Sequence, residues 1–226
     1  MPNHVTNELT APAFVLDALA SEDSLIDFNR AIPMPGILVF EPDSACVDWA
    51  QFTMGFTTVQ DLQRPTPDPQ AAFAHEDFGA ASQRLKQLIM WRFLQKGPFP
   101  KDWDAPRFAA FLQCCQALKE TGYPSWYEWA IEHWGTKWNA YCVKRVAPTQ
   151  IIFQTAWSPP LPVLRALAQR HPGEILRLRW ADEDVGTNVG DIQVQADGTT
   201  TGGALENGKD AAYELAWDLL GDDPEA

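Results

Sequence analysis

The sequence has 226 residues, of which 46% are hydrophobic and 21% are charged. This length allows one large domain or two small ones, and the apolar content excludes a fully disordered chain. No apolar run is long enough for a membrane helix, and the start of the sequence lacks the features of a signal peptide, so we expect a cytoplasmic protein.

Charge is concentrated at the two ends of the sequence. Residues 1–63 hold nine acids and one base, and residues 180–226 hold twelve acids and one base, whereas residues 64–179 hold nine acids and fifteen bases. The net charge is −13. Such a charge can serve solubility alone. The asymmetry also fits acidic ends that face a protein partner, or a basic middle that contacts nucleic acid.

The first elements are a strand, a helix and a broken apolar stretch. Residues 4–9 form a predicted strand with Val5, Asn7 and Leu9 on one face. Thr10 can cap a helix over about 11–20. Two prolines in the motif Ile32-Pro33-Met34-Pro35 exclude a helix and a central strand there, so this stretch is predicted to be an extended wall or a turn.

A helical block is predicted from about residue 57 to residue 134, after a proline-rich loop over 64–79. Its helices cover about 80–96, a stretch capped by Asp104, and about 125–133. Gly135 ends the last of these helices.

After Gly135 the pattern changes to strands separated by turns and helices. Strands are predicted around 151–157, 175–180 and 192–196, helices over 160–171 and 209–220, and a hairpin turn at Asp197-Gly198. Strands at both ends of the sequence indicate an α+β fold with one antiparallel or mixed sheet and helices on one face. We expect residues 1–56 and 135–226 to form this unit, with residues 57–134 as a helical insertion.

Aromatic residues cluster where the helical block meets the predicted sheet, at Trp126, Tyr127, Trp129, Trp134, Trp138 and Tyr141. The favoured interpretation is a core that joins the two parts, because aromatic side chains pack strongly. A protein-binding surface through Trp126 and Trp129, or a base-stacking platform, are the alternatives.

Motifs for known chemistry are missing from the sequence. The four histidines and four cysteines show no metal-ligand spacing, and no phosphate-binding glycine loop is present. The acidic run Asp182-Glu183-Asp184 with Asp191 lacks the spacing of a calcium loop and is typical of a solvated turn. We therefore predict no metal, no cofactor and no catalytic residue, although an enzyme of an unrecognised type stays open.

Four segments together resemble the YubB-like proteins of conjugative plasmids and phages. They are Pro2-Asn3-His4-Val5-Thr6-Asn7, the Ile32–Pro35 motif, Trp134-Gly135-Thr136-Lys137-Trp138-Asn139-Ala140 and Thr155-Ala156-Trp157-Ser158-Pro159-Pro160. The resemblance implies a ferredoxin-like domain in the C-terminal half and a mobile genetic element as the source, but no catalytic residues. Physically, Lys137 between two Trp rings can make a cation–π contact, and Ser158 can cap a helix.

The favoured hypothesis is a non-enzymatic interaction protein of a phage or plasmid. It would bind a host protein and inhibit a defence system such as CRISPR or restriction, including a version in which the acidic ends mimic DNA. The candidate contact residues are Asp182, Glu183, Asp184, Asp191, Asp218, Asp222, Asp223, Trp126 and Trp129. The alternative is a nucleic-acid-binding accessory factor whose basic residues are Arg84, Lys86, Arg92 and Lys96.

Overall fold

The computed structural model describes residues 3–54 and 103–221, which fall into two compact units. One unit consists of residues 1–34 and 127–226, and the other of residues 35–126. This division differs from the predicted one by residues 35–56 and 127–134. The predicted helix over 80–96 and loop over 64–79 lie outside the described residues, as do Arg84, Lys86, Arg92, Lys96, Asp222 and Asp223.

A six-stranded antiparallel sheet organises the first unit. Its strands are β1 (His4–Thr10), β2 (Tyr141–Ala147), β3 (Gln150–Ala156), β4 (Leu176–Asp182), β5 (Gly190–Val194) and β6 (Thr200–Ala204). They lie in the order β2-β3-β1-β4-β5-β6, so β1 is central and pairs with both β3 and β4. The two acidic ends of the sequence therefore contribute to one sheet, as the strand pattern predicts.

The first face of the sheet carries the core. Leu9 lies opposite Ile151 on β3 and Leu178 on β4, and strand alternation places all three on one face. Against this face pack α1 (Ala13–Ala18) and α5 (Leu161–Arg170), the latter through buried residues that include Val163 and Leu167. Removal of this apolar surface from water is the main stabilising term for the unit.

The second face is covered in part by α6 (Asp210–Leu220), whereas the sequence placed the helices on one face only. Ala212 and Ala216 of α6 pack on Ala181 of β4 and on Val189. Ala181 points away from the core that Leu178 and Trp180 enter, because successive side chains of a strand alternate. Small side chains on both elements let this helix approach the sheet closely.

Helix ends test several predicted caps. Gly135 and Gly221 end α4 (Trp126–Trp134) and α6 in the left-handed conformation, with φ of 79° and 90°. The predicted caps at Thr10 and Ser158 are wrong. Helix α1 follows Pro12 and α5 follows Pro160, in neither case with a side-chain cap, and Ser158 Oγ donates to the carbonyl of Gly135 instead.

In the second unit, α2 (Ser44–Thr53) and α3 (Ala105–Thr121) pack around a small core. Cys46, Trp49, Phe111, Cys114 and Leu118 are its buried members. The Asp104 carboxylate accepts from the backbone N–H of Arg107 at 2.9 Å, which confirms the predicted cap.

The broken apolar stretch over 25–40 contains two short 3₁₀ turns, Phe28–Arg30 and Gly36–Leu38. None of the described helices has the length and apolar character to cross a bilayer.

Candidate binding surface

Exposed aromatic side chains meet at one end of the sheet, where β1 begins and β3 and β4 end. We call this surface the aromatic end and define it as His4, Tyr127, Lys137, Trp138, Tyr141 and Trp157. Trp157 is 42% exposed and Trp138 is 37% exposed. Antiparallel pairing brings the segments together, because His4 lies opposite Ala156, the residue before Trp157.

The ammonium of Lys137 lies at the centre of this surface. Its Nζ is 4.8 Å from the ring centroid of Trp138, 5.1 Å from that of Trp157 and 5.5 Å from that of Tyr127. These distances are within the range of a cation–π interaction. The structure thus confirms a cation–π contact at Lys137. Trp134 takes no part, since its buried indole N–H donates to the carbonyl of Ile32 at 2.9 Å.

Backbone strain is concentrated at the same end. Across residues 3–54 and 103–221, the non-glycine residues with a positive φ are Cys142 at 51°, Trp157 at 72° and Asn188 at 47°. They lie at the start of β2, after the end of β3 and just before β5. For a residue as bulky as Trp, the left-handed region is a true outlier. Strained residues are retained where the surrounding structure fixes them, and they gather at functional sites.

A polar network holds the strained Trp157 in place. Its backbone N–H donates to the carbonyl of Asn3 at 3.0 Å, and its carbonyl accepts from Asn188 Nδ2 at 3.0 Å. Both asparagines also donate to the Asp182 carboxylate, at 3.1 Å from Asn3 and 3.2 Å from Asn188. Asp182 is 4% exposed, so its charge anchors the network.

His4 and Tyr141 form a hydrogen-bonded pair at the other side of the surface. Tyr141 Oη lies 3.1 Å from the carbonyl of Thr155, to which it donates its proton. His4 Nδ1 lies 2.7 Å from Tyr141 Oη. Because the Tyr141 proton is already used in the bond to Thr155, His4 Nδ1 is assigned as the donor to Tyr141 Oη. Burial raises the pKa of Tyr141, with smaller contributions from Cys142 and Glu183, so the phenol stays protonated.

The acidic residues chosen from the sequence are distributed over several environments. Asp182 is buried, whereas Glu183 and Asp184 are exposed in the turn between β4 and β5. Asp191 pairs with Arg177, and the Arg177 guanidinium holds the pKa of that carboxyl below its usual range.

Asp218 pairs with Arg179, which also contacts the largely buried Glu8. Two of the candidate acids are thus neutralised within the fold.

The two candidate tryptophans are not the exposed ones. Trp129 is 4% exposed and stacks on His133 with ring centroids 4.4 Å apart, and Trp126 is half-buried. Sequence reasoning had singled out the segments of Lys137 and Trp157 but assigned them structural roles. No signal in the sequence gives the positive φ that turns Trp157 out of its strand. Within the described ranges, no three His, Cys, Asp or Glu residues are placed to hold a metal ion.

Comparison with known proteins supports part of the fold assignment. Residues 134–218 match the family described as "Ferredoxin-like domain in Api92-like protein". The expected ferredoxin-like domain is confirmed for this segment, under the name of Api92-like rather than YubB-like proteins. The crystal structure of the protein api92 from Yersinia pseudotuberculosis is similar at a TM-score of 0.40 and 10% identity, over 92% of this chain and 100% of that one. No curated protein matches the sequence.

Proposed function

We propose that this chain is a non-enzymatic binding protein that recognises a partner protein through the aromatic end. The observation that carries the proposal is Trp157, whose exposed ring sits on a left-handed backbone that Asn3 and Asn188 hold in place. A left-handed residue other than glycine costs about 1–2 kcal/mol, so a fold that keeps one gains by presenting its side chain. Tryptophan and tyrosine also dominate the energetics of protein interfaces.

The aromatic end supports this function better than an acidic surface does. A surface that mimics DNA needs a row of carboxylates free to meet a partner. Asp191 and Asp218 instead face Arg177 and Arg179 of the same sheet, and Asp182 is buried. The contact is therefore proposed to depend on aromatic rings and on Lys137.

Because the chain resembles plasmid and phage proteins, we propose that its partner is a host protein. A CRISPR or restriction complex is the first candidate to test. Expression of the chain in a host that carries either system should restore the plating of a restricted phage. Unchanged plating in both hosts would count against the defence target while leaving the binding surface open to other partners. The nucleic-acid alternative stays a prediction, because its basic residues lie outside the described ranges.

A matched pair of variants tests the surface itself. Trp157→Ala should lose the stoichiometric partner that the wild-type chain captures from host lysate. Phe14→Ala should retain it, since Phe14 is 57% exposed on α1, which follows the opposite end of β1. Equal capture by both variants would refute the aromatic end as the binding surface. Affinity measured on the purified complex should fall by about 2 kcal/mol or more in Trp157→Ala, the size of an interface hot spot.

A further inference from the structure

We propose that the aromatic end binds a single carboxylate of the partner, presented next to an aromatic side chain, on the ammonium of Lys137. This inference rests on the proposed function and specifies its partner. The occupant is an acidic residue flanked by a ring, within a peptide segment of the partner protein.

Lys137 is a cation with no ion-pair partner in the part of the chain that the structure describes. The three rings attract the charge but leave the strong donors of the ammonium for an oxygen acceptor. Lys137 is also half-buried, which strengthens an ionic contact relative to one in open solvent. A carboxylate is the ligand that completes this environment.

The loop that carries Lys137 is locked on both of its sides. On one side, Thr136 is 1% exposed, and its hydroxyl donates to the carbonyl of Ala156 and accepts from the N–H of the same residue. On the other side, Asn139 donates to Asp27 and accepts from the N–H of Phe28. Because the chain is held before and after Lys137, little conformational entropy is lost when a ligand binds.

Gly135 shows how tightly this loop is packed. A Cβ at this position would lie 2.6 Å from Cδ of Pro162, and the backbone φ is 79°. Only glycine fits a site with both restrictions. The backbone at the start of the loop is therefore held against Pro162. The backbone that carries the Lys137 side chain is thus placed by the fold before any partner arrives.

Neighbouring charges limit the ligand to one carboxylate. Glu183 and Asp184 are exposed in the adjoining turn, and the backbone N–H of Glu183 donates to the carbonyl of His4 in the aromatic end. A phosphate chain or a run of acids would meet these carboxylates and be repelled. The exposed rings of Trp138 and Trp157 supply the contact for an aromatic neighbour.

Two short peptides, capped at both ends, test the ligand chemistry on the full chain. One contains Phe followed by Glu, and the other contains Phe followed by Gln. The Glu peptide should shift the indole N–H signals of Trp138 and Trp157 in NMR titration and bind about tenfold more tightly than the Gln peptide, since its bond to Lys137 is charge-assisted. Equal affinity of the two peptides, or tighter binding of a single-stranded oligonucleotide, would overturn the inference.

Variants of Lys137 separate charge from packing. Lys137→Met keeps an unbranched apolar stem among the rings and should abolish the preference for Glu over Gln, whereas Lys137→Arg should retain it. A preference that survives in Lys137→Met would show that another group binds the carboxylate. If the preference is absent but Trp157→Ala still loses the partner, only this inference fails. If Trp157→Ala retains the partner, the proposed function fails whatever the peptides do.

Discussion

The aromatic end and the ion-paired face of the same sheet handle charge in opposite ways. We define the ion-paired face as Glu8, Arg177, Arg179, Asp191 and Asp218. There every arginine meets a carboxylate, and the contacts run from β1 through β4 to β5 and α6. At the aromatic end, Lys137 contacts three rings and, within the described ranges, no carboxylate, and the backbone is strained beside it.

The difference shows that formal charge in a sequence is a poor guide to the charge that a surface presents. The ends of the chain hold most of its acids, yet several of them neutralise arginines within the fold. Lys137, which lies in the basic middle of the sequence, has no ion-pair partner among residues 3–54 and 103–221. We therefore assign stability to the ion-paired face and recognition to the aromatic end.

The largest expected effect is on the ion-paired face. Arg179→Met should lower the free energy of unfolding by about 3 kcal/mol, because it leaves the largely buried Glu8 without its cation. Urea denaturation followed by circular dichroism measures this loss. Asp218→Asn is the control, since that side chain is 62% exposed and its pair with Arg179 should contribute below about 0.5 kcal/mol. Equal losses of unfolding free energy in both variants would show that the burial of Glu8 adds nothing to its pair with Arg179.

An intermediate effect is expected from the strained backbone of Trp157. The left-handed conformation disfavours alanine in the folded state, whereas glycine lowers stability by a smaller amount because it raises the entropy of the unfolded chain. Trp157→Gly should therefore be more stable than Trp157→Ala by about 0.5–1 kcal/mol, the reverse of the usual order of these residues. The same pair at Trp138 supplies the ordinary comparison, since that residue is not among those with a positive φ. If Trp157→Ala is more stable than Trp157→Gly, the backbone at residue 157 is not strained.

The smallest effect concerns acid stability. Arg177 lowers the pKa of Asp191 in the folded state below its value in the unfolded chain. The pair therefore contributes its full stability above the unfolded pKa of about 3.9, and this contribution is lost as the pH falls through the folded pKa. Asp191→Asn should flatten the decline of the melting temperature below about pH 4 relative to the wild type. Parallel curves for the two proteins would remove Asp191 from the acid response.

The central strands were predictable because their pattern is regular. Val5, Asn7 and Leu9 share one face of β1 as expected, and Leu176, Leu178 and Trp180 share the same face on β4. The edge strands β2 and β6 were missed. The first contains two register shifts and the adjacent basic residues Lys144 and Arg145, and the second has the sequence Thr-Thr-Gly-Gly-Ala. Edge strands bury one side less deeply, so their sequences carry a weaker apolar period.

The candidate surface could be predicted only in part. Sequence reasoning found Lys137 and its cation–π contact, and it found the prolines that stop β3. It extended the alternation of Ile151, Phe153 and Thr155 to Trp157, which would bury that ring. The strand ends at Ala156, and the left-handed backbone turns the ring to solvent. Three-dimensional partners such as Asn188 fix this conformation, and no local pattern identifies them.

The central place of β1 has a consequence for how the protein is made. Asn7 contacts Thr155, which lies 148 residues later, and Glu8 contacts Arg179, which lies 171 residues later. A ribosome that adds about 5–20 residues per second therefore needs roughly ten seconds or more after β1 is synthesised before its second neighbour emerges. For most of that interval β1 lacks both flanking strands, so we expect the yield of the newly translated chain to depend on chaperone binding at Val5 and Leu9.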